Sequence, residues 1–179
     1  LSALHRLGFK GILTDNPEII QSSDKVIFPG VGEARSTMNH LREKGLDEII
    51  KNLTQPVLGI CLGMQLLCKH SEENNTDCLG IIPLEVKKFI PQQRENVPHV
   101  GWNTLLNTQN LLFEGLPKNS FAYFVHSYYA TLGPETIAQT DYIFPFSAAV
   151  QKDNFYATQF HPEKSHINGK MLLENFSNL

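Results

Sequence analysis

The sequence predicts an α/β fold: a mostly parallel twisted sheet with helices on both faces and antiparallel extension strands. Three observations predict it. Short β-rich runs alternate with helical patterns through the first half of the chain. A glycine-flanked turn at residues 59–63 joins an apolar run to a helical one. After Asn74, which sits in a polar turn, the pattern changes to a succession of strands.

Taken in order, residues 2–9 have helical spacing, with Leu4 and Leu7 needing something to cover. Residues 11–14 and 25–28 read as strands, the second running into Pro29-Gly30-Val31-Gly32. Residues 34–53 carry helical periodicity interrupted at Gly45, and residues 57–60 form a short apolar strand that feeds the glycine-flanked turn. Residues 81–89, 97–105, 121–130, 136–140, 147–151 and 155–160 read as further strands, and residues 166–176 as a closing helix. The sequence opens in a helical pattern, whereas doubly wound sheets usually start with a strand near the sheet centre. The expectation is therefore one domain over residues 1–179 without its N-terminal strand. No repeat, low-complexity tract or long linker divides it.

Composition narrows the function classes. A chain of 179 residues suits one domain able to bury most of its apolar surface. A formal net charge of -3 gives no basic footprint, so nucleic acid is not an expected ligand. No apolar stretch approaches the roughly 20 residues of a membrane helix, and no signal-peptide pattern is present. Cys61, Cys68 and Cys78 make an odd count without a C-x-x-C pair, which fits a reducing, cytoplasmic setting and supports no metal site.

Two short segments concentrate the chemistry. Gly59-Ile60-Cys61-Leu62-Gly63 lies between a strand and a helix, the thiol form of a nucleophile elbow. Its glycines allow close backbone approach, and the following helix N-terminus favours negative charge at the sulfur. Downstream, Gln159-Phe160-His161-Pro162-Glu163-Lys164-Ser165 supplies an imidazole and, two residues on, a carboxylate. In an extended segment alternate side chains point the same way, so Glu163 reaches His161 and fixes its tautomer. Each motif alone has a bland reading: a buried strand end with an inert thiol, or a turn with a surface ion pair. Together they provide nucleophile, base and orienter in the order Cys61, His161, Glu163. Cys68 and Cys78 are expected in the core, and His5, His40, His70 and His166 show no metal-ligand spacing.

The Gly30-x-Gly32 loop also begins like a dinucleotide fingerprint. Arg35 stands where the third glycine belongs, and the strand at 57–60 does not end in the acidic residue a ribose requires, which disfavours that reading.

The blocks around Cys61 and His161 resemble those of the class I, or triad, glutamine amidotransferases. Val97-Pro98-His99-Val100-Gly101-Trp102-Asn103 and Tyr123-Phe124-Val125-His126-Ser127-Tyr128-Tyr129 are similar to the branch made up of glutaminase subunits of histidine biosynthesis. The resemblance implies hydrolysis of L-glutamine through a Cys61 thioester, with no metal or organic cofactor. Ammonia would pass to a (β/α)₈ synthase subunit in a heterodimer. It further implies an oxyanion site formed by the amide of Leu62 and the loop of Gly30, Val31 and Gly32. Glutamine would contact Gln65, Ser127 and Tyr128, while Trp102 and Lys164 would face the synthase. Other readings stay open: an amidotransferase with a different acceptor, such as a surface-sugar amidation enzyme, a thiol hydrolase of another amide, or a non-catalytic binding module.

Overall fold

A computed structural model describes residues 1–179. The elements run α1 (Ser2–Arg6), α2 (Pro17–Ser22), β1 (Val26–Gly30), α3 (Ala34–Glu43), α4 (Leu46–Lys51), β2 (Val57–Cys61) and α5 (Leu62–Leu67). Two short strands follow, β3 (His70–Ser71) and β4 (Thr76–Asp77), then β5 (Glu85–Lys88), β6 (His99–Thr104), β7 (Phe121–His126) and β8 (Tyr128–Ala130). The chain ends with β9 (Thr136–Tyr142), β10 (Phe144–Lys152), β11 (Phe155–Thr158), a 3₁₀ turn (Pro162–Lys164) and α6 (His166–Asn178).

The central sheet has the order β1-β2-β11-β10-β9, with β1, β2 and β11 parallel and β10 and β9 antiparallel extensions. This is the expected mixed α/β arrangement. Along β2, successive side chains alternate between faces: Val57 joins one core with α3 and α5, and Leu58 and Ile60 join the other with α6. In α3 the buried residues are Ala34, Met38 and Leu41, and in α6 Gly169, Leu172, Leu173 and Phe176, the spacing of one helical face. All six residues of α5 are buried, as expected of a helix enclosed on every side.

Several sequence-based boundaries shift. Residues 11–14 form no strand; Ile12 and Leu13 are exposed there, and without a pairing partner an apolar run has no ladder to join. The 81–89 run narrows to β5, since its first part packs as irregular chain on the α5 core. The run at 121–130 divides at Ser127, with β7 pairing β6 and β8 pairing β5 in a different sheet. Helix α2 was not anticipated, although Asn16 caps it through Oδ1 bonds from the amides of Glu18 and Ile19, and Pro17 opens it. The expected break at Gly45 is present: its φ of +66° separates α3 from α4.

Candidate active site

Three parallel strands end together. Gly30 is level with Cys61 at the ends of β1 and β2, and Thr158 at the end of β11 is level with Ile60. The segments that leave these ends are the glycine loop, the elbow and the His161 block, so topology brings together pieces about 130 residues apart. The C-terminal edge of parallel strands is where open α/β sheets place their ligands.

Cys61 sits at φ 55°, ψ −109°, a region that a side-chain-bearing residue rarely occupies, and α5 begins at the next residue. The flanking glycines make this turn fit. A Cβ on Gly63 would lie 1.9 Å from the Phe28 carbonyl oxygen, and one on Gly59 would lie 2.8 Å from a Leu67 methyl group. Gly30 is equally confined, since its Cβ would meet Leu62 Cβ at 2.7 Å, and the loop therefore rests against the first turn of α5.

His161 is buried, and its Nδ1 lies 2.8 Å from Glu163 Oε1. A carboxylate accepts, so Nδ1 carries the hydrogen and Nε2 is left for the sulfur. Backbone bonds hold the ring in place: the His161 amide donates to the Tyr123 carbonyl at 2.9 Å, and Ser165 Oγ donates to the His161 carbonyl at 2.7 Å. Burial alone would lower the imidazole pKa. Hydrogen bonding and charge from the neighbouring Cys61 sulfur and from Glu163 outweigh it and raise the value to about 9. Burial likewise acts to raise Glu163, but the bond to His161 prevails and lowers it. His161 therefore holds a proton at neutral pH, next to the sulfur.

Cys61 and His161 open into a cavity of about 400 Å³. Gly30, Val31, Gly32 and Leu62 line one side, Gln65, Ser127 and Tyr128 another, and Lys164 stands at the edge. Gln65 is buried, its Nε2 donating to the Tyr128 carbonyl and to Gln159 Oε1, each at 3.0 Å. Trp102 lies away from the lining. It is half exposed on β6, 5.2 Å from the His166 ring and edge-on to Tyr123, over which the Lys164 ammonium also sits. Cys68 is buried, which pushes its thiol far up, and burial raises Cys78 to about 12; neither can supply a thiolate.

Sequence reasoning missed five lining or neighbouring residues: Glu73, Pro98, Val125, His126 and Gln159. The Glu73 carboxylate reaches the cavity from the turn between β3 and β4, where Oε2 accepts the Ala34 amide at 2.8 Å and burial raises its pKa. Only the fold of that turn reveals it. Gln159, fully buried, places Nε2 3.8 Å from the Cys61 sulfur. Its position in the His161 block was visible, but not the direction of its side chain.

The buried histidines make stability depend on pH. Burial lowers His99 to about 4 and His126 to about 3, below the unfolded value near 6.5, so their neutral forms contribute stability above that value. This contribution is lost as pH falls from about 6.5 through about 4 for His99 and about 3 for His126. His161 is shifted the other way: its contribution is complete below about 6.5 and is lost as pH rises through about 9. Melting temperatures measured from pH 4 to 9.5 are expected to form a dome with its maximum near pH 6–7. A curve rising steadily into acid would contradict the buried neutral pair.

The pattern of the glutamine amidotransferase class-I family matches residues 3–178. The chain is 61% identical over 178 residues to imidazole glycerol phosphate synthase subunit HisH of Bacteroides thetaiotaomicron, covering 99% of this chain and 91% of that protein. It is 49% identical to the subunit of the same name from Escherichia coli K12, covering 98% and 90% respectively. In fold it is similar to a crystal structure of glutamine amidotransferase, with a TM-score of 0.70 at 20% identity over 98% of this chain and 91% of that one. A glutamine amidotransferase from Thermotoga maritima gives a TM-score of 0.65 at 18% identity, over 99% and 75%. The chain belongs to the class-I glutamine amidotransferases.

Proposed function

We propose that residues 1–179 act as one glutaminase domain, the glutamine-hydrolysing subunit of an imidazole glycerol phosphate synthase in histidine biosynthesis. The reading rests above all on one observation: Cys61 and His161, from two distant segments, line one cavity wide enough for an amino acid, with Glu163 bonded to His161 behind it. The 61% identity to a subunit of that name supports the pathway.

The Cys61 sulfur attacks the side-chain amide carbon of glutamine, forming a carbon–sulfur bond and a tetrahedral oxyanion. The Leu62 amide, at the start of α5, is one donor to that oxygen, and the loop at Gly30, Val31 and Gly32 supplies the other. Gly32, at φ +114°, gives the loop freedom to turn an amide inward. His161 passes its proton to the departing ammonia as the carbon–nitrogen bond breaks, leaving a glutamyl thioester. It then takes a proton from water, whose oxygen attacks the thioester carbon; the carbon–sulfur bond breaks, glutamate is released, and the sulfur and the protonated ring return to their starting states. Glu163 stabilises the imidazolium throughout. Gln65, Ser127 and Tyr128 hold the amino acid end, with the Glu73 carboxylate suited to its ammonium group.

Ammonia in water at neutral pH is protonated and lost as a nucleophile, so the product needs a closed exit. The exposed side chains of Val100, Trp102 and Phe121 on β6 and β7, together with Ile167, form an apolar rim beside Lys164. This rim is suited to docking a (β/α)₈ synthase subunit. The test is glutamate release from L-glutamine by the chain alone and with the synthase plus its nucleotide substrate. Weak activity that rises strongly in the complex is expected. Equal rates would remove the partner-controlled loop, and no hydrolysis in either case would remove the glutaminase reading.

A further inference from the structure

Outside the triad, the structure contains a buried chain of hydrogen bonds whose direction can be worked out atom by atom. His126 ends β7 at the Ser127 break, and its Nδ1 lies 2.8 Å from the Tyr128 carbonyl oxygen. A carbonyl can only accept, so Nδ1 carries the hydrogen. The buried ring is neutral, which leaves Nε2 as an acceptor. Nε2 lies 3.0 Å from His99 Nδ1, which must therefore be the donor. His99 Nε2 then has only a lone pair to offer, and it faces the Asn103 amide nitrogen at 3.3 Å. Asn103 is oriented independently, because its Oδ1 accepts the Thr104 amide at 2.8 Å and its Nδ2 donates to the Asp141 carbonyl at 3.0 Å. One carbonyl thus sets one tautomer in both rings, and every polar atom along the chain is satisfied.

The surroundings leave the pair little alternative. His99 lies between the rings of Tyr142 and Phe124, at 4.0 and 5.0 Å, and Phe89 and Phe146 pack against His126 at 5.3 and 5.2 Å. The titratable groups around the pair are Tyr129 on β8, Tyr142 on β9 and the His161 ring, with no carboxylate to hold an imidazolium. A buried network of this kind is rigid when complete and costly when broken.

The carbonyl that ends this chain also accepts Gln65 Nε2, which bonds onward to Gln159 beside the Cys61 sulfur. We propose that His99 and His126 are positioning residues for glutamine: they hold the Tyr128 carbonyl, and through it Gln65 and the Ser127–Tyr128 wall, in the geometry that binds the substrate. The inference rests on the glutaminase reading and deepens it. Neither ring touches the reacting atoms, so their loss acts on substrate binding more than on the chemical step.

The experiment compares two amides at one position. In His126→Asn the amide nitrogen falls near the place of Nδ1 and can still donate to Tyr128. In His126→Gln it falls near Nε2 and cannot. Steady-state glutamine hydrolysis by the complex is expected to show a KM about 10-fold higher for H126Q, and within about 3-fold of wild type for H126N, with kcat nearly unchanged in both. Alkylation of Cys61 by iodoacetamide should proceed normally in both variants. Equal KM values for the two variants, or a fall in kcat at constant KM, overturns the proposal. Imidazole nitrogen NMR of the wild type reads the tautomers without any activity: Nδ1–H in both rings is expected, and Nε2–H in His126 overturns it. A wild type that binds and hydrolyses no glutamine removes the functional reading itself, while leaving the tautomer result intact.

Discussion

Cys61→Ala lowers glutamine hydrolysis by about 10⁴-fold or more, to the level of residual binding and oxyanion stabilisation. The size of the loss follows from the absence of a substitute. The other thiols, Cys68 and Cys78, are held protonated by burial, and neither lines the cavity. Without the sulfur, His161 could only activate water directly, against an amide that has no covalent route to lose ammonia. Alanine leaves the elbow's glycines and the packing of α5 in place, so the fold should persist. Circular dichroism and melting temperature check this, and ammonia release measures the activity. Labelling with a glutamine-mimicking electrophile followed by peptide mapping should modify Cys61 alone. Substantial residual turnover, or label on Cys68, would require a different nucleophile.

The second large effect arises in the closing helix. Gly169 lies in the first turns of α6, where a Cβ would fall 1.8 Å from the Pro162 carbonyl oxygen and 2.7 Å from its carbon. No rotamer relieves a backbone collision, so in Gly169→Ala either α6 or the 3₁₀ turn must move by an ångström or more. Pro162 stands between His161 and Glu163. Ser165, whose carbonyl accepts the Gly169 amide, also bonds His161 and accepts the Tyr123 amide. Displacement therefore reaches both triad members through the backbone. The expected result is a kcat about 10²-fold lower together with a loss of about 1–3 kcal/mol in stability. Lys170→Ala, at an exposed neighbouring position, should change neither. Kinetics run well below the melting temperature separate misplacement of His161 from unfolding, and normal kcat in a folded Gly169→Ala protein would show that the turn is less tightly coupled to α6.

The proposed trio of Cys61, His161 and Glu163 could be picked out in the sequence because each part is written in contiguous residues. An elbow needs its own two glycines, and a carboxylate two residues after a histidine cannot lie far from it; the expected extended segment is instead a 3₁₀ turn at Pro162–Lys164, and this turn brings Glu163 to His161. The strand-to-helix frame was legible for a similar reason, since Val57, Leu58 and Ile60 mark a strand buried on both faces. What remained hidden depended on partners. Residues 11–14 have strand composition, but a strand also requires a neighbour. Ser127 divides an apparently continuous run because β7 and β8 pair with different sheets, and nothing local announces that choice. Glu73 and Gln159 acquire their significance only where a remote turn and a remote side chain meet the cavity. Gln65, which could have been an ordinary solvated helix residue, is buried and bonded on both sides.

The backbone of Cys61 has a bearing on any effort to toughen the molecule. An L-residue at φ 55°, ψ −109° stores on the order of 1–3 kcal/mol that glycine would release, and glycine would also remove the reactive sulfur. Heat resistance and turnover thus pull this position in opposite directions. A library screened solely for survival at high temperature will be drawn to the one replacement that leaves a sturdier, inert protein, so screening must include a measure of ammonia release from the first round.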